Sequence, residues 1–320
     1  MKETGKRGTG NNKLWIIPLM VVATVVAFFS IGKISFGGTA ENEPVKPDKK
    51  SYYAIFPFDV PGEITFAGEQ VPLEYFDVYE ALDRELLSNT FFHSQTLRMI
   101  KMANRYFPQI EPILEAEGIP EDFKYLAIAE SNLSNAVSPA GAVGFWQLMR
   151  GTGHDYGLEI NSEVDERYHL EKSTVVACKY IQESYEKYQN WTMAAASYNA
   201  GRRGMNRQID RQKEEDYYDL LLNEETGRYI FRVLAFKLIL EDPATYGFHL
   251  SNQDLYKEIP YDVVTVDGPV TDFAMFAKTH NTNYKLLKFL NPWLRDNNLT
   301  NSQRNTYEIK IPKPQARMKR

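Results

Sequence analysis

Residues 119–150, IPEDFKYLAIAESNLSNAVSPAGAVGFWQLMR, hold the pattern that decides the fold. Asp122 to Ala129 is rich in good helix formers, with Phe123, Tyr125, Leu126 and Ile128 apolar, so a buried helix is expected there. Ser131, Asn132, Ser134 and Asn135 follow at once. Their short polar side chains bond to nearby backbone and favour turns, which ends the helix at Glu130. A carboxyl at the C-terminal end of a buried helix meets the negative pole of the helix dipole and loses water. Both effects favour its protonated form, the one a general acid needs near neutral pH. Taken alone, a glutamate is more often an ordinary surface residue, so the neighbouring chain has to carry the case. Gly141 and Gly144 permit close backbone approach, and Trp146, Gln147 and Met149 supply an aromatic face, an amide and a soft contact, a set that suits a sugar. Equally, the glycines fit a tight helix crossing and Trp146 fits a core position.

Outward from this stretch the pattern stays helical. From Asp77 long runs are interrupted at Pro108, Gly118-Ile119-Pro120, Ser138-Pro139, Gly151 to Gly157, Asn199 to Gly204 and Asp242-Pro243. Leu82, Leu86, Leu87, Phe91 and Phe92 recur at helical spacing, as do Tyr229, Ile230, Val233, Leu234 and Leu238. One all-helical domain over residues 66–248 follows. Ahead of it, Ser51 to Tyr75 suggests short extended pieces lying against that domain. Beyond Gly247 the composition shifts: Tyr261 to Val266 and Tyr307 to Ile311 look like strands, Asp272 to Lys278 and Asn283 to Leu290 like short helices, which gives a β-α-α-β module over residues 255–314.

The chain has 320 residues, 43% apolar and 25% charged, with a net charge of -5, so it is an ordinary globular composition without the basic footprint that nucleic acid requires. One cysteine, Cys178, rules out an intramolecular disulfide framework, and five scattered histidines without an HExxH pattern argue against a metal. Leu14 to Ile31 carries no charge and at helical rise is just long enough to cross a bilayer core of roughly 30 Å. Lys2, Lys6, Arg7 and Lys13 precede it, so residues 1–13 are expected in the cytoplasm, residues 14–32 as a signal anchor, and the rest outside. A signal peptide cleaved near Gly38-Thr39-Ala40 is the competing reading; the length of the apolar run favours the anchor. Residues 33–65 are expected to form a linker, rich in Gly, Pro and charge from Gly37 to Lys50, followed by an extended segment.

The stretch around Glu130 resembles the signature of lytic transglycosylases of the goose-lysozyme-like superfamily. The matching residues are Glu130-Ser131, Ser138-Pro-Ala-Gly141-Ala142-Val-Gly144 and Phe145-Trp146-Gln147-Leu148-Met149. The family's second motif, Ala-Tyr-Asn-Ala-Gly, is met by Ala196-Ser197-Tyr198-Asn199-Ala200-Gly201 with a serine where an alanine is usual, and its third by Glu225-Thr226-Gly-Arg-Tyr229-Ile230. Val164 to Thr174 and Leu86 to Pro120 are similar to the membrane-bound murein transglycosylase D subgroup. Family members often have one more residue between the glutamate and the second serine, which bears on Ser138.

The resemblance implies a lysozyme-like catalytic domain that cleaves the bond between N-acetylmuramic acid and N-acetylglucosamine in peptidoglycan. Glu130 is then the acid and base; Ser138, Gln147, Met149, Tyr198, Asn199, Glu225 and Tyr229 bind the glycan; no cofactor is implied. Most glycosidases use two carboxylates. Glu121 and Asp122 lie too far back on the helix of Glu130 to face the same bond, and Glu225 is implied to be a positioning group. A single-carboxylate route remains, in which the sugar's C6 hydroxyl closes on the anomeric carbon and leaves a 1,6-anhydro end. Tyr198-Asn199 also reads as a plain helix end. The last seventy residues resemble a LysM module, which implies N-acetylglucosamine chains as ligand; a capping domain without ligand is the alternative. The rival functions are a hydrolytic muramidase using the same glutamate and a non-catalytic glycan-binding scaffold. The subgroup resemblance implies an inner-membrane anchor with the catalytic domain in the periplasm.

Overall fold

Phe66 leads into the fold: it is fully buried at the tip of a small hairpin that seats the N-terminal segment on the helices. The computed structural model describes residues 57–318, so the expected anchor over 14–32, the cytoplasmic residues 1–13 and most of the linker lie outside the described residues. Strands β1 (Thr65–Phe66) and β2 (Glu69–Gln70) pair antiparallel through a two-residue turn in which Ala67 and Gly68 both take positive φ, 51° and 83°. Asp122 accepts from the Ala67 amide at 2.7 Å and from Lys237 Nζ at 2.7 Å, which holds the turn down. The hairpin straddles position 65/66, and Ile64 is already in the core, so the chain joins the helical body ahead of residue 66.

Eight helices follow in this part of the described residues: α1 (Phe76–Phe91), α2 (His93–Ala116), α3 (Lys124–Ser131), α4 (Arg150–Asp155), α5 (Leu170–Tyr188), α6 (Trp191–Ala200), α7 (Arg202–Gln212) and α8 (Glu224–Glu241). The inner layer is α3, α6 and α8. Leu126, Ala127 and Ile128 of α3 and Ile230, Val233, Leu234 and Ala235 of α8 have no exposed surface, and α1, α3 and α6 all pack on α8. Each large side chain so buried contributes roughly 1.5–3 kcal/mol. Cys178 of α5 is a free thiol inside the same core.

Two expected interruptions differ from the structure. Helix α2 runs through Pro108 and Pro112. The two prolines are four residues apart on the exposed face, where water can serve the carbonyls they leave without a donor. Gly151 to Gly157 is not an open break, because Arg150–Asp155 closes into the short helix α4 before Gly157 turns left-handed at φ 83°.

In the C-terminal module, β3 (Tyr261–Val266) pairs antiparallel with β4 (Tyr307–Pro312), Tyr261 opposite Pro312 and Val266 opposite Tyr307. Helices α9 (Phe273–Thr279) and α10 (Tyr284–Leu290) lie between them, and the caps are legible: Asp272 accepts from the Ala274 amide at 2.6 Å, Asn283 from the Leu286 amide at 3.0 Å. Asn291 is fully buried and clasps β4, its side chain both accepting from and donating to the Lys310 backbone. The module's core of Phe273, Leu287, Trp293, Leu294 and Ile309 also takes in Val143, Val164 and Tyr168 from the helical body. Among the described residues no helix is long and apolar enough to cross a membrane.

Candidate active site

Helix α3 stops because Asn132 and Leu133 both turn left-handed, at φ 51° and 52°. Asparagine tolerates that conformation better than most residues. Ser131 fastens this end to the following loop: its Oγ donates to the Phe145 carbonyl oxygen at 2.8 Å. Glu130 is thereby presented at the last turn of α3, with protein packed closely round its carboxyl while part of the residue still faces solvent.

The Tyr229 hydroxyl of α8 donates to Glu130 Oε1 at 2.6 Å. Burial is the main influence on Glu130 and pushes its carboxyl up from the ordinary range to about 7; the Tyr229 hydrogen bond opposes this, the Glu225 charge adds to it, and the Arg232 charge opposes it. Tyr229 itself is raised well above the usual tyrosine value, chiefly by burial, so it remains a donor throughout the working range. The site thus holds a carboxyl poised to give up or take a proton near neutral pH.

The loop after α3 folds back on itself. Ser138 N donates to Ala142 O at 2.9 Å and Ser138 Oγ accepts from the Ala142 amide at 3.0 Å, so Ser138 builds the turn. Gln147 sits at φ 46° and its Nε2 donates to the carbonyls of Gly144 at 2.8 Å and Ala136 at 3.1 Å, which leaves its amide oxygen as the group it can offer a ligand. Met149 is exposed. Trp146 is no sugar platform: it is fully buried, and its indole N–H donates to Thr174 Oγ1 at 2.8 Å. Gly144 lies so close to the Arg167 carbonyl oxygen that an added Cβ would stand 2.3 Å from it, whereas nothing crowds Gly141, which needs only its φ of 83°.

From α6, Tyr198 donates to the Trp146 carbonyl oxygen at 2.7 Å, and its ring meets Tyr180 edge-on. Asn199 donates to Glu225 Oε1 at 3.2 Å and accepts from Thr226 Oγ1 at 2.9 Å, tying the end of α6 to the start of α8. This segment is also a helix end, as Gly201 at φ 73° stops α6. Hydrogen bonds thus pair Glu130 with Tyr229, Asn199 with Glu225 and Thr226, and Tyr198 with the Trp146 carbonyl. Glu225 and Tyr198 lie within electrostatic reach of Glu130, and Gln147 bonds within its own loop. Glu225, engaged with Asn199 and exposed, does not share a hydrogen bond with Glu130.

Sequence reasoning did not single out Arg232, Glu85, Arg167 or Thr174. Glu85, 1% exposed on α1, accepts from Arg228 Nε at 2.6 Å and lies 3.7 Å from Arg232 Nε. No local pattern flags such pairs; the only available signal was an acidic residue on the apolar face of α1, between Leu82 and Leu86.

With this geometry in place, comparison with known proteins gives a consistent picture. Residues 110–221 match the family model for the transglycosylase SLT domain, and residues 262–315 that for the soluble lytic transglycosylase C-terminal LysM-like domain. The chain is 27% identical over 260 residues to the membrane-bound lytic murein transglycosylase D of Escherichia coli K12, and equally to that of Escherichia coli O6:H1. The match covers 78% of this chain and 56% of each relative, so the chain spans little more than half the length of the curated relatives it matches. The chain therefore carries a transglycosylase SLT domain over residues 110–221, followed by a LysM-like domain over residues 262–315.

Proposed function

We propose that the protein is a peptidoglycan lytic transglycosylase in which Glu130 serves first as acid and then as base. The observation that carries this is the Glu130 carboxyl at the end of a buried helix, with the Tyr229 hydroxyl its one hydrogen-bond partner among the described residues and burial pushing it up to about 7. Protonated, Glu130 gives its proton to the oxygen of the β-1,4 bond between N-acetylmuramic acid and N-acetylglucosamine. As that bond breaks and the N-acetylglucosamine leaves with its 4-hydroxyl formed, positive charge grows on the anomeric carbon of N-acetylmuramic acid, and that sugar's own N-acetyl group stabilises it. Glu130, now a carboxylate with Tyr229 bonded to it, takes the proton of the C6 hydroxyl, whose oxygen closes on the anomeric carbon and leaves a 1,6-anhydro end. The tethered nucleophile supplies by proximity what a second carboxylate supplies in other glycosidases. Gln147, Met149, Tyr198, Asn199, Glu225 and Ser138 line or shape the glycan site.

The apolar run Leu14–Ile31 and the membrane-bound relatives support an inner-membrane anchor with the catalytic part in the periplasm. Mass spectrometry of products released from purified peptidoglycan, run beside Glu130→Gln, tests the reaction. Anhydro-muropeptides that vanish in the variant are expected. Reducing-end products, one water heavier, would make the protein a hydrolase, and release unaffected by the substitution would leave a glycan-binding scaffold.

A further inference from the structure

Segment 159–168 lies between the LysM-like domain and the loop that follows Glu130, and it is bonded on both sides. On the module side the bonding is largely main chain. Val164 and Leu294 form an antiparallel bridge, Asp165 N donates to Trp293 O at 2.9 Å, and Arg295 N donates to Glu163 O at 2.7 Å. The Glu163 carboxylate accepts from the Thr300 amide at 2.8 Å, from Asn298 Nδ2 at 3.1 Å and from the Thr300 hydroxyl. The Arg295 guanidinium lies 4.1 Å over the Tyr168 ring, and the Tyr307 hydroxyl donates to Glu159 at 2.8 Å.

On the other side stands Arg167, buried at 6% exposure. Asp165 fixes its guanidinium in a bidentate pair, Nε to Oδ1 at 3.0 Å and Nη2 to Oδ2 at 2.7 Å. The remaining nitrogen, Nη1, donates to the carbonyls of Leu148 at 3.2 Å and Gly141 at 3.3 Å, the two ends of the loop that presents Gln147. The Arg167 carbonyl oxygen fills the space beside Gly144 in the middle of that loop. One residue thus braces the loop at three points, and the carboxylate that aims it belongs to the residue whose amide is bonded to the module.

We propose that the LysM-like domain is a positioning arm of the catalytic site, and that its docking on segment 159–168 holds the loop Ser138–Met149 in working geometry through the positioning residue Arg167. The proposal rests on Glu130 and this loop being the reacting site. A module acting only to capture glycan would change affinity for long strands. A positioning arm changes turnover on any substrate, including one too short to touch the module, because small displacements of groups around a reacting bond are costly in rate.

The test uses the full chain carrying Glu163→Ala, which loosens the module contact, and Arg167→Gln, which releases the loop; Asn104→Ala, which removes a contact to the Tyr256 carbonyl outside this segment, is the control. Turnover is measured on a tetrasaccharide of alternating N-acetylglucosamine and N-acetylmuramic acid, and hydrogen exchange is followed over residues 138–149. Expected are a several-fold fall in kcat for Glu163→Ala and roughly ten- to hundredfold for Arg167→Gln, with KM little changed and faster exchange in the loop; the control behaves as the parent. Unchanged kcat and loop exchange in Glu163→Ala, or a loss seen with long strands but absent on the tetrasaccharide, overturns the proposal. Should Arg167→Gln fail to fold, Glu163→Ala alone decides. A parent without turnover counts against the proposed reaction, and loop exchange then still decides whether the module braces the loop.

Discussion

Glu85 and Glu130 stand on neighbouring elements packed round α8, and the fold treats their carboxyls in opposite ways. Glu85 is surrounded by guanidinium groups, with Arg228 at 2.6 Å and Arg232 and Arg84 each at 3.7 Å. Among the described residues Glu130 receives one phenolic hydroxyl and no ion-pair partner within 4 Å. Paired cations let Glu85 knit two helices together, whereas burial, opposed only in part by Tyr229 and the more distant Arg232 charge, drives Glu130 toward its protonated form. The difference is made by α8, which turns Arg228 and Arg232 toward α1 and Tyr229 toward α3. The structural acid and the proposed reactive one are thus separated by which residue of one helical turn each of them faces.

The comparison breaks most visibly at Glu130 itself. Glu130→Gln is expected to lower the rate of product release by about 10²–10⁴-fold while the folded protein, judged by circular dichroism, is kept. At Glu85 the balance is reversed. Glu85→Ala strands two arginines and should cost roughly 3 kcal/mol in chemical denaturation, the lower end for a broken buried pair because Arg228 and Arg232 keep about a third of their surface exposed.

A third test uses pH. The folded carboxyl of Glu130 lies near 7 against an ordinary value of 4.5, so between these values the folded state holds a proton that the unfolded state has lost. This group's contribution to stability is therefore full below pH 4.5, falls as pH rises toward 7, and stays lower above, by up to roughly 3 kcal/mol. The unfolding profile of Glu130→Gln should lack that decline; parallel profiles would mean that the carboxyl is not held neutral. Smallest is Tyr229→Phe. Removing the bond that favours the carboxylate should move the high-pH fall of the rate profile, where Glu130 loses its proton, upward by about one pH unit, worth about 1.4 kcal/mol; a downward move would mean that Tyr229 instead favours the protonated form.

Much of the site was legible because it is local. The end of α3 follows from a run of serines and asparagines, and the two short helices of the module from the caps Asp272 and Asn283. What escaped is what depends on distant partners. Glu85 and Arg228 are 143 positions apart in the chain, and Arg167 reaches back 26 positions to Gly141, so neither pairing leaves a periodic trace. Trp146 shows the same limit: the aromatic suited a sugar or a core equally well until Thr174, 28 residues on, met its indole N–H. Pro108 misled for the opposite reason, as a strong local signal that the exposed face of α2 absorbs.

The β1–β2 hairpin carries a consequence for cleavage of the chain itself. Glu69 accepts from the amides of Trp191 and Thr192 and so caps α6, the helix that ends in Tyr198 and Asn199. A protease cutting at the exposed Asp59 would leave that cap in place, whereas a nick at the exposed Gly68 would part Phe66 in the core from Glu69 on the helix. Trimming from this side would therefore reach the proposed glycan site one hairpin before it reached the first helix.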